Sequence, residues 1–239
     1  MNVMDNKDLQ KKIAVVTGGS RGIGFHIAQA LHEAGAAVAI TGRDADTLGE
    51  AAQKVGDRCK PFVCDQRKPA DIADMAKYVQ AEMGVPDILV NNAGVFRSAA
   101  VVDMPLELWN EVLETNLTGV FLTIQAFLPA MIKKNRGDIF LISSMSGKKG
   151  DAETSAYNAS KFGLQGFAQA LMYEVRKNNI RVMVLNPSSV ETGKDTGPEY
   201  GAGLYLHAAD LARVIVHLAT LPGRTLIRDM DIYGTNPPA

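Results

Sequence analysis

Apolar residues along the chain gather into short, β-branched runs separated by longer stretches of helical periodicity. Runs at Ile13–Thr17, Ala37–Thr41, Pro61–Cys64, Ile88–Val90, Ile139–Ile142, Val182–Leu185 and Leu226–Tyr233 predict seven strands. Between them, apolar spacing predicts helices over Ile23–Ala34, Asp46–Val55, Ala70–Met83, Leu106–Lys133, Ala156–Asn178 and Ala208–Ala219, with the long fourth helix bent near Gly119. Strands that alternate with helices and read apolar on both faces belong to a parallel sheet covered on both sides. The fold class expected is therefore α/β, a doubly wound seven-stranded parallel sheet with helices on both faces. No repeat, low-complexity tract or linker interrupts the pattern, so residues 1–239 read as one domain.

Composition narrows the partners. A domain of 239 residues buries about 70 to 75% of its unfolded surface and needs no metal or disulfide to hold it. With 25 basic and 26 acidic residues the net charge is −1, which offers no general field for nucleic acid or an anionic membrane. Cys59 and Cys64 flank one predicted strand without companion histidines and read as reduced core residues. Met1 to Lys12 is polar, and no apolar run is expected to approach a membrane span, so the protein reads as cytoplasmic.

The first candidate site is the turn after the first strand, Thr17-Gly18-Gly19-Ser20-Arg21-Gly22-Ile23-Gly24. Gly18, Gly22 and Gly24 remove side chains that would block a ligand, so backbone N–H groups of the turn, Ser20 and Ile23 among them, can face a pyrophosphate at a helix N-terminus. The second strand ends in Thr41-Gly42-Arg43-Asp44. An acid at this point suits the ribose hydroxyls of NAD, whereas arginine suits the 2′-phosphate of NADP. Arg43 and Arg21 favour NADP(H) over NAD(H), while Asp44 precedes a helix and is explained as its N-cap. Asp65 and Asn91, Ala93 and Gly94 end the third and fourth strands, where a ligand crevice would open.

The second candidate site is Ser144, at the end of the fifth strand, with Tyr157 and Lys161 at the start of the following helix. Residues four apart share a helical face, so the Lys161 ammonium can approach Tyr157 and favour its phenolate, lowering a pKa whose ordinary value is near 10. Tyr157 then serves as acid or base, Ser144 offers a hydroxyl to the substrate oxygen, and Lys161 also reaches the cofactor ribose.

Thr17-Gly18-x-x-x-Gly22-x-Gly24, Asn91-Asn92-Ala93-Gly94, Asn116, Ser144 and Tyr157-x-x-x-Lys161 resemble the short-chain dehydrogenase/reductase family in order and spacing, over about the first 190 residues. The resemblance implies a Rossmann fold and a catalytic tetrad completed by Asn116, which bends a helix and holds a water near Lys161. It also implies cofactor contacts from Pro187, Val190 and Thr192, although Ser188 stands where the family usually has glycine. By the same resemblance the protein is similar to 3-oxoacyl-thioester reductases, with acyl carrier protein or a CoA thioester as possible partners, and to homo-oligomers, dimers or tetramers. Two departures qualify the branch. Asn135 and Asn178 replace arginines that often dock acyl carrier protein, with Arg136 and Lys177 adjacent; and the ending Asp231-Ile232-Tyr233-Gly234 looks more like relatives that oxidise small 3-hydroxy acids such as serine or 3-hydroxyisobutyrate.

Other features carry less. Gly193 to His207 is short and glycine-rich and reads as a small lid. Lys148-Lys149 offers charge to an anionic substrate, although such runs are more often solvated. His26, His32, His207 and His217 are scattered without carboxylates at zinc spacing, so no metal is expected. The expected activity is hydride transfer between NADP(H) and a carbonyl or hydroxyl carbon. A cofactor-binding sensor or scaffold without catalysis is the reading from another class.

Overall fold

Residues 9–191 and 205–235 are described by the structure, a computed structural model. Seven parallel strands form one sheet: β1 (Ile13–Val16), β2 (Ala37–Gly42), β3 (Cys59–Val63), β4 (Ile88–Asn91), β5 (Gly137–Ile142), β6 (Ile180–Pro187) and, at one edge, β9 (Asp229–Ile232). The order β3-β2-β1-β4-β5-β6-β9 reverses direction between β1 and β4, as in a doubly wound sheet. A two-residue parallel pair, β7 (Val190–Glu191) with β8 (Leu206–His207), lies outside it and was not anticipated. Strands are too short there to leave a periodic signal.

Among the described residues seven α-helices cover the sheet: α1 (Gly22–Glu33), α2 (Ala45–Val55), α3 (Pro69–Glu82), α4 (Leu106–Leu113), α5 (Gly119–Lys134), α6 (Ser155–Val175) and α7 (Ala208–Thr220). Alternate strand residues point to opposite faces. Val16, Val90, Phe140 and Met183 pack on one side against Ile27 and Leu31 of α1, Leu48 of α2 and Ile215 of α7. Val15, Leu89, Ile139 and Val182 pack on the other against Met75 of α3, Phe127 of α5 and Leu171 of α6. Both faces are dry, which is why β1 and β4 read as unbroken apolar runs.

The predicted fourth helix is continuous from Leu106 to Lys134, but a π-helical turn, Glu114–Thr118, separates α4 from α5 just before Gly119. A β-carbon on Gly119 would strike the Gln66 carbonyl, and Gln66 Nε2 donates to the Gly119 oxygen at 2.9 Å, so the helix is drawn tight against the end of β3. Contrary to the expectation that no run approaches a span, this helix is long and apolar enough to cross a bilayer by length and composition. Its apolar positions Val120, Ile124, Phe127 and Met131 are instead buried against the sheet. Cys59 and Cys64 are buried and free, and burial pushes both thiols up to about 12.

The end of the sheet opposite the strand C-termini is held by charge. The almost fully buried Asp87 carboxylate accepts from the Ile13 N–H at 3.1 Å and pairs with Lys12, Lys134 and Arg136 at 3.4, 3.1 and 2.7 Å. Burial works to raise its pKa, yet the Ile13 N–H and the two lysines outweigh it and hold the pKa below the ordinary 3.8. A depressed carboxylate stabilises the fold at every pH above its unfolded value and loses that contribution as pH falls through the folded one. Asp87→Asn should therefore cost about 2 kcal/mol in urea unfolding at pH 7, a deficit that shrinks below about pH 4; equal stability of variant and wild type at pH 7 would refute this.

Candidate active site

The cleft opens beyond the strand C-termini, where β1 and β4 diverge, and has a volume of about 1340 Å³. Its floor is two turns sewn together. Thr17 Oγ1 accepts from the N–H groups of Asn92 and Ala93, each at 3.0 Å, while Asn92 Nδ2 donates to the carbonyls of Thr17 and Gly18 at 3.0 and 3.1 Å. Gly18 has φ +66° and a β-carbon there would press on Ala93 Cα at 2.9 Å, so only glycine lets the turns meet this closely. The N-cap of α1, Arg21, makes no side-chain cap, and no acid stands in the first turn, so the helix directs uncapped N–H groups and the positive end of its dipole into the cleft.

Most residues expected at the cofactor line this cleft: Gly18, Ser20, Arg21, Gly22, Ile23, Arg43, Asp65, Ala93, Gly94, Pro187 and Val190. Two do not line it. Gly24 is buried under the turn, where a β-carbon would strike the Gly18 carbonyl and the Asn92 amide. Asn91 is buried in the sheet with its Nδ2 3.4 Å from the Phe140 oxygen, and the neighbouring Asn92 lines the cleft in its place. A period-2 strand sends adjacent residues to opposite sides, which decides between two like side chains that the sequence leaves equivalent. Thr192, and most of the Gly193 to His207 stretch, fall outside the described residues.

Asp44 caps α2 by accepting from Thr47 N at 2.9 Å and Thr47 Oγ1 at 2.8 Å, and these bonds lower its pKa. Asp65 is gripped by Arg67, whose side chain donates at 3.0 and 2.7 Å and pulls the carboxyl down to about 2. Both acids are thus already engaged, while Arg21 and Arg43 stand exposed at the same cleft.

Ser144, Tyr157 and Lys161 converge at the other end of the cleft. Ser144 is in extended backbone at the end of β5, and its Oγ accepts from Ser146 N at 3.1 Å, which caps the short helical turn Met145–Gly147. Lys161 is almost fully buried; its Nζ donates to the Ile142 carbonyl at 2.8 Å and lies 5.5 Å from the centroid of the Tyr157 ring. Burial without a carboxylate partner pushes its pKa down to about 8. Burial also raises the Tyr157 pKa, opposed by a hydrogen bond with Ser144. That reverses the direction expected from the Tyr-Lys pair: the ammonium meets the ring face and a carbonyl, so loss of water around the phenol outweighs it.

Asn116, in the π turn, does not bond back to its own helix. Its Oδ1 accepts from Val95 N at 2.8 Å, and its Nδ2 donates to Val95 O at 2.9 Å and to Ser160 Oγ at 3.2 Å. It thereby clamps the segment after β4 to the helix bearing Tyr157 and Lys161, while the adjacent Thr115 lines the cleft. Phe96, which the sequence did not single out, stands edge-on to Tyr157 at 5.1 Å between ring centroids. Ser188, in place of the usual glycine, donates from its N–H to Ile232 O at 2.8 Å and extends the pairing with β9. Lys148 is not available to a substrate, since Asp229 and Asp231 hold it at 2.8 and 2.7 Å.

The sequence model of a family described as short chain dehydrogenase matches residues 12–197. The chain belongs to the short-chain dehydrogenase family. Within it, the chain is 31% identical over 229 residues to an uncharacterized oxidoreductase of Staphylococcus saprophyticus, covering 94% of this chain and 98% of that one. It is 39% identical over 185 residues to the 3-oxoacyl-[acyl-carrier-protein] reductase of Escherichia coli (strain K12), covering 77% and 76%. Among solved structures, a metagenomic short-chain oxidoreductase in complex with NADP superposes with a TM-score of 0.85 at 33% identity over 98% of this chain and 100% of that one. An alcohol dehydrogenase from the archaeon Thermococcus sibiricus, complexed with 5-hydroxy-NADP, gives 0.88 at 26% over 95% and 98%. This short-chain dehydrogenase is accordingly an oxidoreductase that uses a nicotinamide dinucleotide and acts between CH–OH and C=O groups.

Burying Lys161 with a single carbonyl as partner costs the fold energy. Lys161→Met should abolish turnover while the Tm stays level or rises. In the wild type, kcat/KM for carbonyl reduction should fall as pH climbs through about 8, where the free enzyme loses the ammonium; a profile flat to pH 10 would contradict it.

Proposed function

We propose that the protein is an NADP(H)-dependent reductase whose substrate is an uncharged carbonyl compound, with a 3-oxoacyl thioester as the preferred class. The observation that carries the chemistry is the meeting of Ser144, Tyr157 and Lys161 at one end of a cleft whose other end holds a glycine turn and two arginines. The residues present suit a dinucleotide: a turn bare of side chains, an uncapped helix N-terminus for pyrophosphate, and Arg21 and Arg43 for a 2′-phosphate. When bound, NADPH supplies the hydride. Ser144 holds the substrate oxygen by its hydroxyl, and Tyr157, kept protonated by its buried setting, gives that oxygen a proton. Lys161 is the nearby cation that restores the proton to Tyr157, and Asn116 fixes the helix from which both project. Phe96 shields the Tyr157 ring and favours an apolar group beside the carbonyl.

Likeness to the Escherichia coli reductase supports a thioester. Lys148 is committed to two carboxylates, which leaves Lys149, at the cleft and 3.4 Å from Asp151, as the one lysine of that pair a free 3-hydroxy acid could meet. Arg136, one candidate contact for acyl carrier protein, is paired with Asp87, which leaves the exposed Lys177 for that role. Exposed Phe121 and Ile132 on α5 and Phe162 and Tyr173 on α6 support a homo-oligomer, and a cytoplasmic setting fits the free cysteines.

NADPH and NADH consumption is to be followed across 3-oxoacyl thioesters, free 3-oxo acids and simple ketones. The wild type should prefer NADPH with thioesters, and Tyr157→Phe should lose turnover while still binding NADPH; a fully active variant would overturn the assignment. Arg43→Ala should raise the KM for NADPH about 10-fold or more and leave that for NADH within about 3-fold, since one charge-assisted contact to phosphate is removed. An equal effect on both cofactors would remove the case for NADP.

A further inference from the structure

Beneath the catalytic end of the cleft lies a chain of polar side chains that none of the roles above uses. Asp229 and Asp231 are two apart on β9 and so share a face. That face is turned toward the end of β6, where Asn186, fully buried and immediately before Pro187, donates from Nδ2 to Asp229 Oδ1 at 2.5 Å and Asp231 Oδ1 at 2.9 Å. Asn186 Oδ1 in turn accepts from Gln165 Nε2 at 2.5 Å, and the same amide reaches Ser143 Oγ at 3.2 Å. Gln165 is one helical turn beyond Lys161, and Ser143 is the residue before Ser144. Lys148, from the segment after Ser144, closes the circuit on both carboxylates. Gly147 makes room for it: a β-carbon there would stand 2.9 to 3.1 Å from Ser143 Oγ, the Lys161 carbonyl and Gln165 Nε2.

Every link crosses between segments that must keep register for hydride transfer. One end fixes the Ser143-Ser144 corner, which carries the hydroxyl for the substrate oxygen. The middle fixes Asn186-Pro187, which opens the cofactor-lining segment. The far end is β9, an edge strand held to the sheet by β6 alone. Two carboxylates so close together repel unless a cation lies between them, so the whole assembly depends on Lys148.

We propose that Lys148, Asp229, Asp231, Asn186 and Gln165 act as a positioning relay that holds Ser144 and the Pro187 segment at one fixed separation, using the terminal strand as its anchor. The relay rests on the reading of Ser144 and Tyr157 given above. None of its members touches substrate or cofactor in this role. Displacement of either segment misaligns the carbonyl against the hydride donor, and misplacement by about 1 Å can cost on the order of 100-fold in rate.

The test measures kcat, KM for the carbonyl substrate, NADPH affinity and Tm in the full-length enzyme for Lys148→Met, Lys148→Arg, the pair Lys148→Met with Asp229→Asn, and Gln165→Met. Lys148→Met should lower kcat about 10- to 100-fold, with KM and NADPH affinity held within about 3-fold. Lys148→Arg, whose guanidinium can span both carboxylates, should retain near wild-type kcat. The double variant should recover much of the loss, because removing one carboxylate charge relieves the repulsion. Wild-type kcat in Lys148→Met, or a loss that neither Arg nor the second substitution restores, would overturn the relay while leaving the catalytic reading intact. Should Lys148→Met fail to fold, Gln165→Met breaks the chain at its other end and is judged by the same criteria. An active Tyr157→Phe enzyme would instead sink the catalytic reading on which the relay rests.

Discussion

The closeness of two turns is the constraint on which everything else depends. Where the sheet order reverses, the ends of β1 and β4 diverge, and a crevice forms whether or not anything uses it. Here the crevice has a fixed shape because Thr17 and Asn92 bind the two turns by four hydrogen bonds, and Gly18 lets them approach without a side chain between. Buried polar groups are costly unless satisfied, so these bonds also specify a single arrangement of the floor. The start of α1 is thereby aimed, and the uncapped N–H groups at its first turn face the crevice.

The opposite end of the cleft is built on a different economy. Lys161 is held in the protein interior with one carbonyl as partner, which depresses its pKa; Tyr157 is raised by the same loss of water. The two shifts pull apart groups whose ordinary values nearly coincide and leave the ammonium the stronger acid, so a proton on Lys161 would pass downhill to a Tyr157 phenolate. Asn116 gives α6 a fixed relation to the segment after β4, and the π turn is what swings its amide out of the helix to do so. Stability is sought elsewhere, at the far end of the sheet, where Asp87 gathers three cations away from the chemistry.

How much of this was legible in the residues differs from one feature to the next. The helix over 106–134 was readable to its ends, and its irregularity was placed within one residue of the observed turn, because Gly119 interrupts a strongly apolar period. The last strand was read too long, from Leu226, because Ile227 packs on the core ahead of the strand while Leu226 is exposed. Asp44 was readable as an N-cap from its place before a helix, and Thr47 N bonds it there. Asn91 and Asn92 could not be told apart, since either fits a turn and only the strand's facing decides.

What the chain determines locally is the succession of strands and helices, the glycine turn that joins the first pair, and the placing of a lysine one turn beyond a tyrosine. These follow from periodicities of two and 3.6 residues and from backbone sterics, which act over a handful of positions. Only the folded state decides what a polar side chain meets. Lys148 looks like part of a solvated basic pair until a strand 81 residues later brings two carboxylates against it. The pKa of Tyr157 rises rather than falls for the same reason: solvent exclusion and long-range partners are properties of the packed structure, and no spacing along the chain encodes them.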